Sequence, residues 1–160
     1  MTDAGALLTA LRERGWTLGV AESLTGGAVS AEIVTVPGAS ASLLGAVVAY
    51  ATPVKHSLLG VDAAVLDAHG PVHPDVALQM ALGVRVAVAV DGIAADVGLA
   101  TTGIAGPDSP DGQPVGTVHI GVVTPVRQNV RSFVFGGDRA DVRAQAVSAA
   151  IAFARELVAE

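Results

Sequence analysis

The stretch Trp16–Gly27, WTLGVAESLTGG, decides how this chain is read. Its first six residues, WTLGVA, form an apolar run of strand length. Glu22-Ser23-Leu24-Thr25-Gly26-Gly27 then turns the chain, and about Ala28 to Thr35 reads as a helix that Pro37-Gly38 breaks. A strand that feeds a helix through a glycine-containing turn is the building unit of a sheet covered by helices.

Working outward, Thr2 can cap a helix from about Asp3 to Arg14, with Leu7, Leu8 and Leu11 on one face and Gly15 at its end. Leu43 to Ala51 reads as a second buried strand, and Pro53 suits the first turn of a short helix through Leu59. Asp62 can cap a helix to about His69. A longer helix is expected from Pro74 or Asp75 to about Val90, although its tail, VRVAVAV, also alternates like a strand. Asp96 to Thr102 is the third strand. Val115 to Thr124 and Asn129 to Phe135 read as a hairpin, and Asp138 caps a last helix. Strands alternating with helices, followed by one hairpin, predict an α/β fold. The expected form is a three-layer α/β/α sandwich whose mixed, mostly parallel sheet has about five strands, one of them antiparallel. With no repeat or linker in 160 residues, residues 1–160 are expected to form a single domain.

Composition narrows the function. Apolar residues make up 51% but aromatics only 3%, so the core must be built from small side chains: 30 Ala and 26 Val. Close packing of Ala, Val and Gly suits helices lying tightly on a sheet. The absence of cysteine excludes disulfides, thiolate catalysis and Cys-ligated zinc. A net charge of −6 gives no footprint for nucleic-acid binding. No apolar run approaches the roughly 18 residues of a membrane span. The N-terminal MTDAGALLTALRERGW lacks the basic-then-apolar order of a signal peptide. A soluble, cytoplasmic protein with no membrane partner is expected.

Eight Arg accompany a single Lys, Lys55. Composition drift could produce that bias. Lysine, however, can lose its proton when desolvated and arginine essentially cannot, so a lone lysine is also what a chain retains where deprotonation matters.

Ligands in such folds sit in loops beyond the C-terminal ends of strands. Three segments qualify. In the first, Ser23 before a helix start is either an N-cap or a nucleophile whose neighbouring amides face a developing oxyanion or a phosphate. Glu22 could fix that loop or simply favour the helix start. In the second, Tyr50-Ala-Thr-Pro-Val-Lys55, the only Tyr and the only Lys lie five residues apart across a strand-to-helix turn. Either Tyr50 packs and Lys55 is solvated, or a buried, neutral Lys55 replaces histidine as the base for a serine, with the Tyr50 hydroxyl relaying the proton or holding the lysine. The third, Thr102-Gly-Ile-Ala-Gly-Pro-Asp108 through Gly116, is either an ordinary surface loop or a backbone that approaches a ligand closely. His69 and His73 are four apart, but Gly70-Pro71 between them argues against a helical metal pair. His56 and His119 read as packing or surface residues. Asp138-Arg139 reads as a helix start, with reach into the site as the alternative.

The blocks AESLTGG, VVAYATPVKHSLLGV, HGPVHPDVALQMALGV, TTGIAGPDSPDGQPVGTVHIGV and GDRADVRAQAV resemble, in the same order, those of the CinA C-terminal-domain family, from about Leu7 to Val158. The chain looks like a stand-alone form, without the molybdopterin-binding-like domain common at the N-terminus of that family. The resemblance implies an amidohydrolase that converts nicotinamide mononucleotide (NMN) to nicotinic acid mononucleotide and ammonia. It implies Ser23, Tyr50 and Lys55 as the catalytic set, with no cofactor and no metal. The matching blocks also make Glu22, Thr25, Gly26, Gly27, Thr102, Gly103, Ala105 and Gly106 candidates for substrate binding, and amides near Thr25 to Gly27 or Thr102 to Gly106 are expected to stabilise the oxyanion. A homo-oligomer is expected on the same ground. The chain departs from the family's frequent pattern in two places: Ala51-Thr52 follows the Tyr where Ser-Asn is common, and His73 stands where Ser is common. The family's association with competence and DNA damage, together with the same Gly-rich loops, leaves a rival: a catalytically silent nucleotide-binding or partner-serving module. A third possibility is an amidase for a different pyridine nucleotide or amide.

Overall fold

In the computed structural model, which describes all 160 residues, five apolar segments pair into one sheet. They are β1 (Leu18–Glu22), β2 (Leu43–Val48), β3 (Val97–Gly103), β4 (Thr117–Val123) and β5 (Gln128–Val134), in the spatial order β2-β1-β3-β4-β5. β1 pairs in parallel with β2 and with β3, and β4 runs antiparallel to both of its neighbours. Four strands therefore point one way and β4 the other, as the alternation and the hairpin predict.

The helices are α1 (Asp3–Arg14), α2 (Ala28–Val34), α3 (Thr52–Leu59), α4 (Ala63–His69), α5 (Pro74–Ala87) and α6 (Arg139–Ala159), with a 3-10 turn at Ala39–Ala41. Strand side chains alternate between two apolar layers. Leu18, Val20, Leu99, Ile120 and Val122 pack against α1, α2 and α6. Ala21, Ala100 and Val123 face α3 and α5 on the other side, with α4 against α5. On that second face the strands carry little bulk because α5 lies almost on the sheet backbone. A Cβ on Gly98 would overlap the Ala81 carbonyl, and one on Gly121 would sit 2.5 Å from the Ala77 carbonyl oxygen. The small-residue composition is thus used to bring α5 down onto β3 and β4.

Boundaries agree with the sequence to within a few residues, with two differences. Leu43–Val48 is an edge strand, not a buried one: it pairs only with β1, and Val48 is 47% exposed. Its apolar run resembles that of a central strand because one face still packs on the core while the other meets solvent. The ambiguous tail of α5 ends as helix at Ala87, and beyond it only a single bridge joins Val90 to Ile93. No helix is long and apolar enough to cross a membrane.

The parallel register sets up the site. Glu22 at the end of β1 lies beside Val48 of β2 and Thr101 of β3. The segments after all three strands therefore leave the sheet at the same end.

Candidate active site

The chain leaves β1 with the Ser23 amide still on the sheet, donating to Thr101 O at 3.1 Å. A tight turn follows, in which the Gly26 amide donates back to Ser23 O (3.0 Å) and Ala28 N to Thr25 O (3.0 Å). Gly26 and Gly27 take φ of 60° and 102°, the left-handed region where glycine is the unstrained choice. Gly27, not Ser23, is the N-cap of α2, and it caps without a side chain. That duty passes to Glu22. Its fully buried carboxylate accepts from Val29 N (2.9 Å), Ser30 N (3.0 Å) and Ser30 Oγ (2.8 Å), where the helix dipole favours a negative charge. Both Glu22 oxygens are thereby spent on α2.

The Ser23 hydroxyl, freed from capping, faces Lys55 on the first turn of α3. Lys55 Nζ lies 3.0 Å from Ser23 Oγ, 2.8 Å from Ala49 O and 3.2 Å from Tyr50 O. The lysine is 1% exposed and forms no ion pair with a carboxylate. Burial therefore acts unopposed and lowers its pKa from 10.5 to about 8. A neutral amine has two N–H bonds and one lone pair. The two carbonyls can only accept, so they take both N–H bonds, and the lone pair is left for the Ser23 hydroxyl proton. Such an arrangement would let Ser23 act as a nucleophile with neutral Lys55 as its base.

Of the two readings of the second loop, packed Tyr50 with solvated Lys55 is the reverse of what is found. Tyr50 is 60% exposed, and its hydroxyl accepts from Arg139 Nη2 at 3.0 Å. Lys55 meets the Tyr50 carbonyl, not the phenol, and reaches Ser23 without an intermediary.

The third loop closes the opposite wall. Thr102 Oγ1 donates to Pro71 O (2.6 Å), tying the segment before α5 over the site. Gly106 O accepts from Arg139 Nη1 at 2.6 Å. The resulting cavity, of about 250 Å³, is lined by Ser23, Leu24, Tyr50, Lys55, Pro71, Val72, Thr102 to Gly106, Asp108, Pro110, Asp111 and Arg139. Of the expected residues it gathers Ser23, Tyr50, Lys55, Thr102, Gly103, Ala105 and Gly106. Glu22, Thr25, Gly26 and Gly27 stand behind the lining, shaping the turn; Thr25 Oγ1 bonds Thr101 Oγ1 at 2.8 Å.

Among the backbone amides around the cavity that donate to no protein acceptor are that of Leu24 and, just behind the lining, that of Thr25 after the serine, and those of Ala105 and Gly106 on the facing loop. Sequence reading pointed to Thr25–Gly27 and Thr102–Gly106 as the source of such amides. The first group is displaced toward Leu24, because the Gly26 amide is consumed by the turn. Two further residues carry no clear sequence signal for this site. Arg139, whose sequence context reads mainly as a helix start, reaches the cavity because it heads α6. Arg143, one turn on, donates to Leu24 O and Thr25 O. The eight-to-one excess of Arg over Lys hid both.

The histidines serve the frame. His73 N-caps α5 through Nδ1 (3.2 Å to Asp75 N) and stacks on His69 at 4.1 Å. His56 Nδ1 meets Val61 O, and His119 Nδ1 meets Ser132 Oγ, each at 2.7 Å. Burial first, and then the nearby His73, hold the His119 pKa below the ordinary value.

Comparison with known proteins places this architecture. The family model described as the CinA C-terminal domain matches residues 2–158. A CinA-like protein from Frankia casuarinae is 45% identical over 97% of this chain and 35% of its own length. A Desulforamulus reducens protein, described provisionally as competence-damage inducible, is 41% identical over 92% of this chain and 35% of its own. The chain thus spans about a third of the length of these curated relatives. A CinA superfamily protein from Klebsiella pneumoniae superposes with a TM-score of 0.90 at 32% identity, covering 98% of this chain and 96% of that one. A competence/damage inducible protein from Agrobacterium tumefaciens gives 0.88 at 29% identity, covering 97% and 93%. With its sequence matched almost end to end, this chain belongs to the CinA C-terminal domain family.

Proposed function

We propose that this protein is an amidohydrolase that cleaves the carboxamide of NMN. The observation that carries the reading is the buried Lys55 Nζ, 3.0 Å from Ser23 Oγ, with its two other contacts both carbonyls. Ser23 Oγ attacks the carboxamide carbon while its proton passes to neutral Lys55. The carbonyl oxygen becomes an oxyanion facing the unpartnered amides of Leu24 and Thr25, with those of Ala105 and Gly106 opposite. The C–N bond then breaks, and the Lys55 ammonium delivers the proton that lets the nitrogen leave as ammonia. Water attacks the acyl-serine, again losing its proton to Lys55. Collapse of that second intermediate breaks the C–Oγ bond, returns the proton to Ser23 and frees nicotinic acid mononucleotide. Arg139 gives the mouth a fixed positive charge suited to an anionic nucleotide.

NMN is the small-molecule partner in this reading, which extends to a cytoplasmic homo-oligomer without nucleic-acid or membrane partners. A catalytically silent nucleotide-binding module uses the same cavity. The two are separated by ammonia release from NMN, measured for the wild type beside Ser23→Ala. We expect turnover by the wild type and a loss of about 10²-fold or more in Ser23→Ala, with both folded. Thermal stabilisation of the wild type by NMN without ammonia would replace this reading with the silent module.

A further inference from the structure

The two free amides beside Ser23 are held by a residue that touches neither the serine nor the cavity. Arg143, on α6, donates from Nε to Leu24 O and from Nη2 to Thr25 O, both at 3.0 Å. It has no carboxylate partner. In a planar trans peptide the C=O and the N–H point in opposite directions. Holding Leu24 O therefore aims the Thr25 N–H away from Arg143. Holding Thr25 O likewise orients the Gly26 N–H, which donates to Ser23 O at 3.0 Å. That bond fixes the Ser23–Leu24 peptide and so aims the Leu24 N–H away from Ser23 O. Two guanidinium bonds thus set both unpartnered amides, one directly and one through the intervening peptide, and the chain of aligned dipoles runs from a fixed positive charge.

We propose that Arg143 is the positioning residue of the oxyanion site. The proposal rests on the amidohydrolase reading for its substrate, but the geometry requires only that Ser23 act as a nucleophile. Arg is suited to this task and Lys is not: the two carbonyls are on successive residues, and the rigid fork of a guanidinium meets both at once.

The test compares wild type, Arg143→Ala and Arg143→Lys in two assays, with melting temperature as the check on folding. One assay is NMN hydrolysis. The other is labelling of Ser23 by a fluorophosphonate, in which the Oγ–P bond forms, the P–F bond breaks, fluoride leaves and the serine proton passes to Lys55. The phosphoryl oxygen of that reagent draws on the same amides whatever the natural substrate. We expect Arg143→Ala to lose about tenfold or more in both kcat and labelling rate, with KM little changed, because loss of an oxyanion donor costs about 10²–10³. Arg143→Lys should fall between, and guanidinium ion added to Arg143→Ala should restore part of the labelling rate. Should Arg143→Ala not fold, Arg143→Lys is scored instead: a loss in both kcat and labelling rate at little-changed KM is expected, and an unchanged labelling rate overturns the proposal. A smaller loss in labelling, or a loss confined to KM, overturns the proposal. If the wild type labels at Ser23 but leaves NMN intact, the NMN reading fails and the labelling ratio alone decides the role of Arg143. If the wild type neither labels nor turns over, both fail.

Discussion

Lys55 and Arg139 line the same cavity, and they are opposites chemically. Lys55 is buried, its Nζ contacts are one hydroxyl and two carbonyls, and its pKa falls to about 8. Arg139 lies at the solvent edge, bridging the Tyr50 hydroxyl and Gly106 O, and its guanidinium keeps its charge at any working pH. In the proposed reaction the difference would separate two tasks that one cation cannot perform together. A group that moves protons must be able to become neutral. A group that braces the mouth and draws in an anion must not.

Substitutions can break that division. On the titrating side, Ser23→Ala, Lys55→Arg and the double variant should be about equally inactive, since parts of one proton-transfer unit are not additive. On the fixed side the effects are smaller. Arg139→Ala removes the fixed positive charge that the proposed anionic substrate would meet at the mouth, a charged contact worth about 1.5–3 kcal/mol, so kcat/KM should fall about 10- to 100-fold. Tyr50→Phe leaves the Gly106 contact in place and should cost about tenfold or less. Neither change should abolish the pH inflection that Lys55 produces. If Tyr50→Phe were as damaging as Ser23→Ala, the phenol would have to take part in proton transfer.

A further effect concerns stability. The folded pKa of Lys55, about 8, lies below its ordinary 10.5, so between those values the unfolded chain binds more protons than the folded one. Wild-type stability should therefore rise with pH across that window, and the cost of burying the ammonium is fully present below it. Lys55→Met lacks this term. The stability of wild type relative to Lys55→Met should improve by up to about 3 kcal/mol from pH 7 to pH 10.5, measured by urea unfolding of both. A difference that does not change with pH would mean that Lys55 is not desolvated as described.

Much of the frame was legible in the sequence because local signals and tertiary structure agree. Thr2 and Asp138 cap the helices they should, and the Gly and Pro punctuation falls between elements. Ser23 and Lys55 stood out because one precedes a Gly pair and the other is alone of its kind. The rest depended on sheet order and chain crossing. No period in LLGAVV distinguishes an edge strand from a central one. Glu22 lies next to Ser23 in sequence, yet strand alternation turns it to the opposite face, where α2 uses it. Arg139 and Arg143 come from a helix more than 110 residues after the serine loop, among six other arginines, and nothing local marks them. The free amides of Leu24 and Thr25 are backbone groups, which carry no side-chain signature at all.

The central claim is that Lys55, neutral, accepts the proton of Ser23. The measurement that meets it most directly is the pH dependence of kcat/KM for ammonia release from NMN, with wild type beside Lys55→Arg. In the wild type the rate should climb with pH and level off above about 8, the value set by burial of the amine. In Lys55→Arg that inflection should vanish and the rate should lie about 10²- to 10⁴-fold lower, while NMN still binds. A Lys55→Arg enzyme that keeps more than about a tenth of the wild-type rate, or that shows the same inflection, would contradict the account.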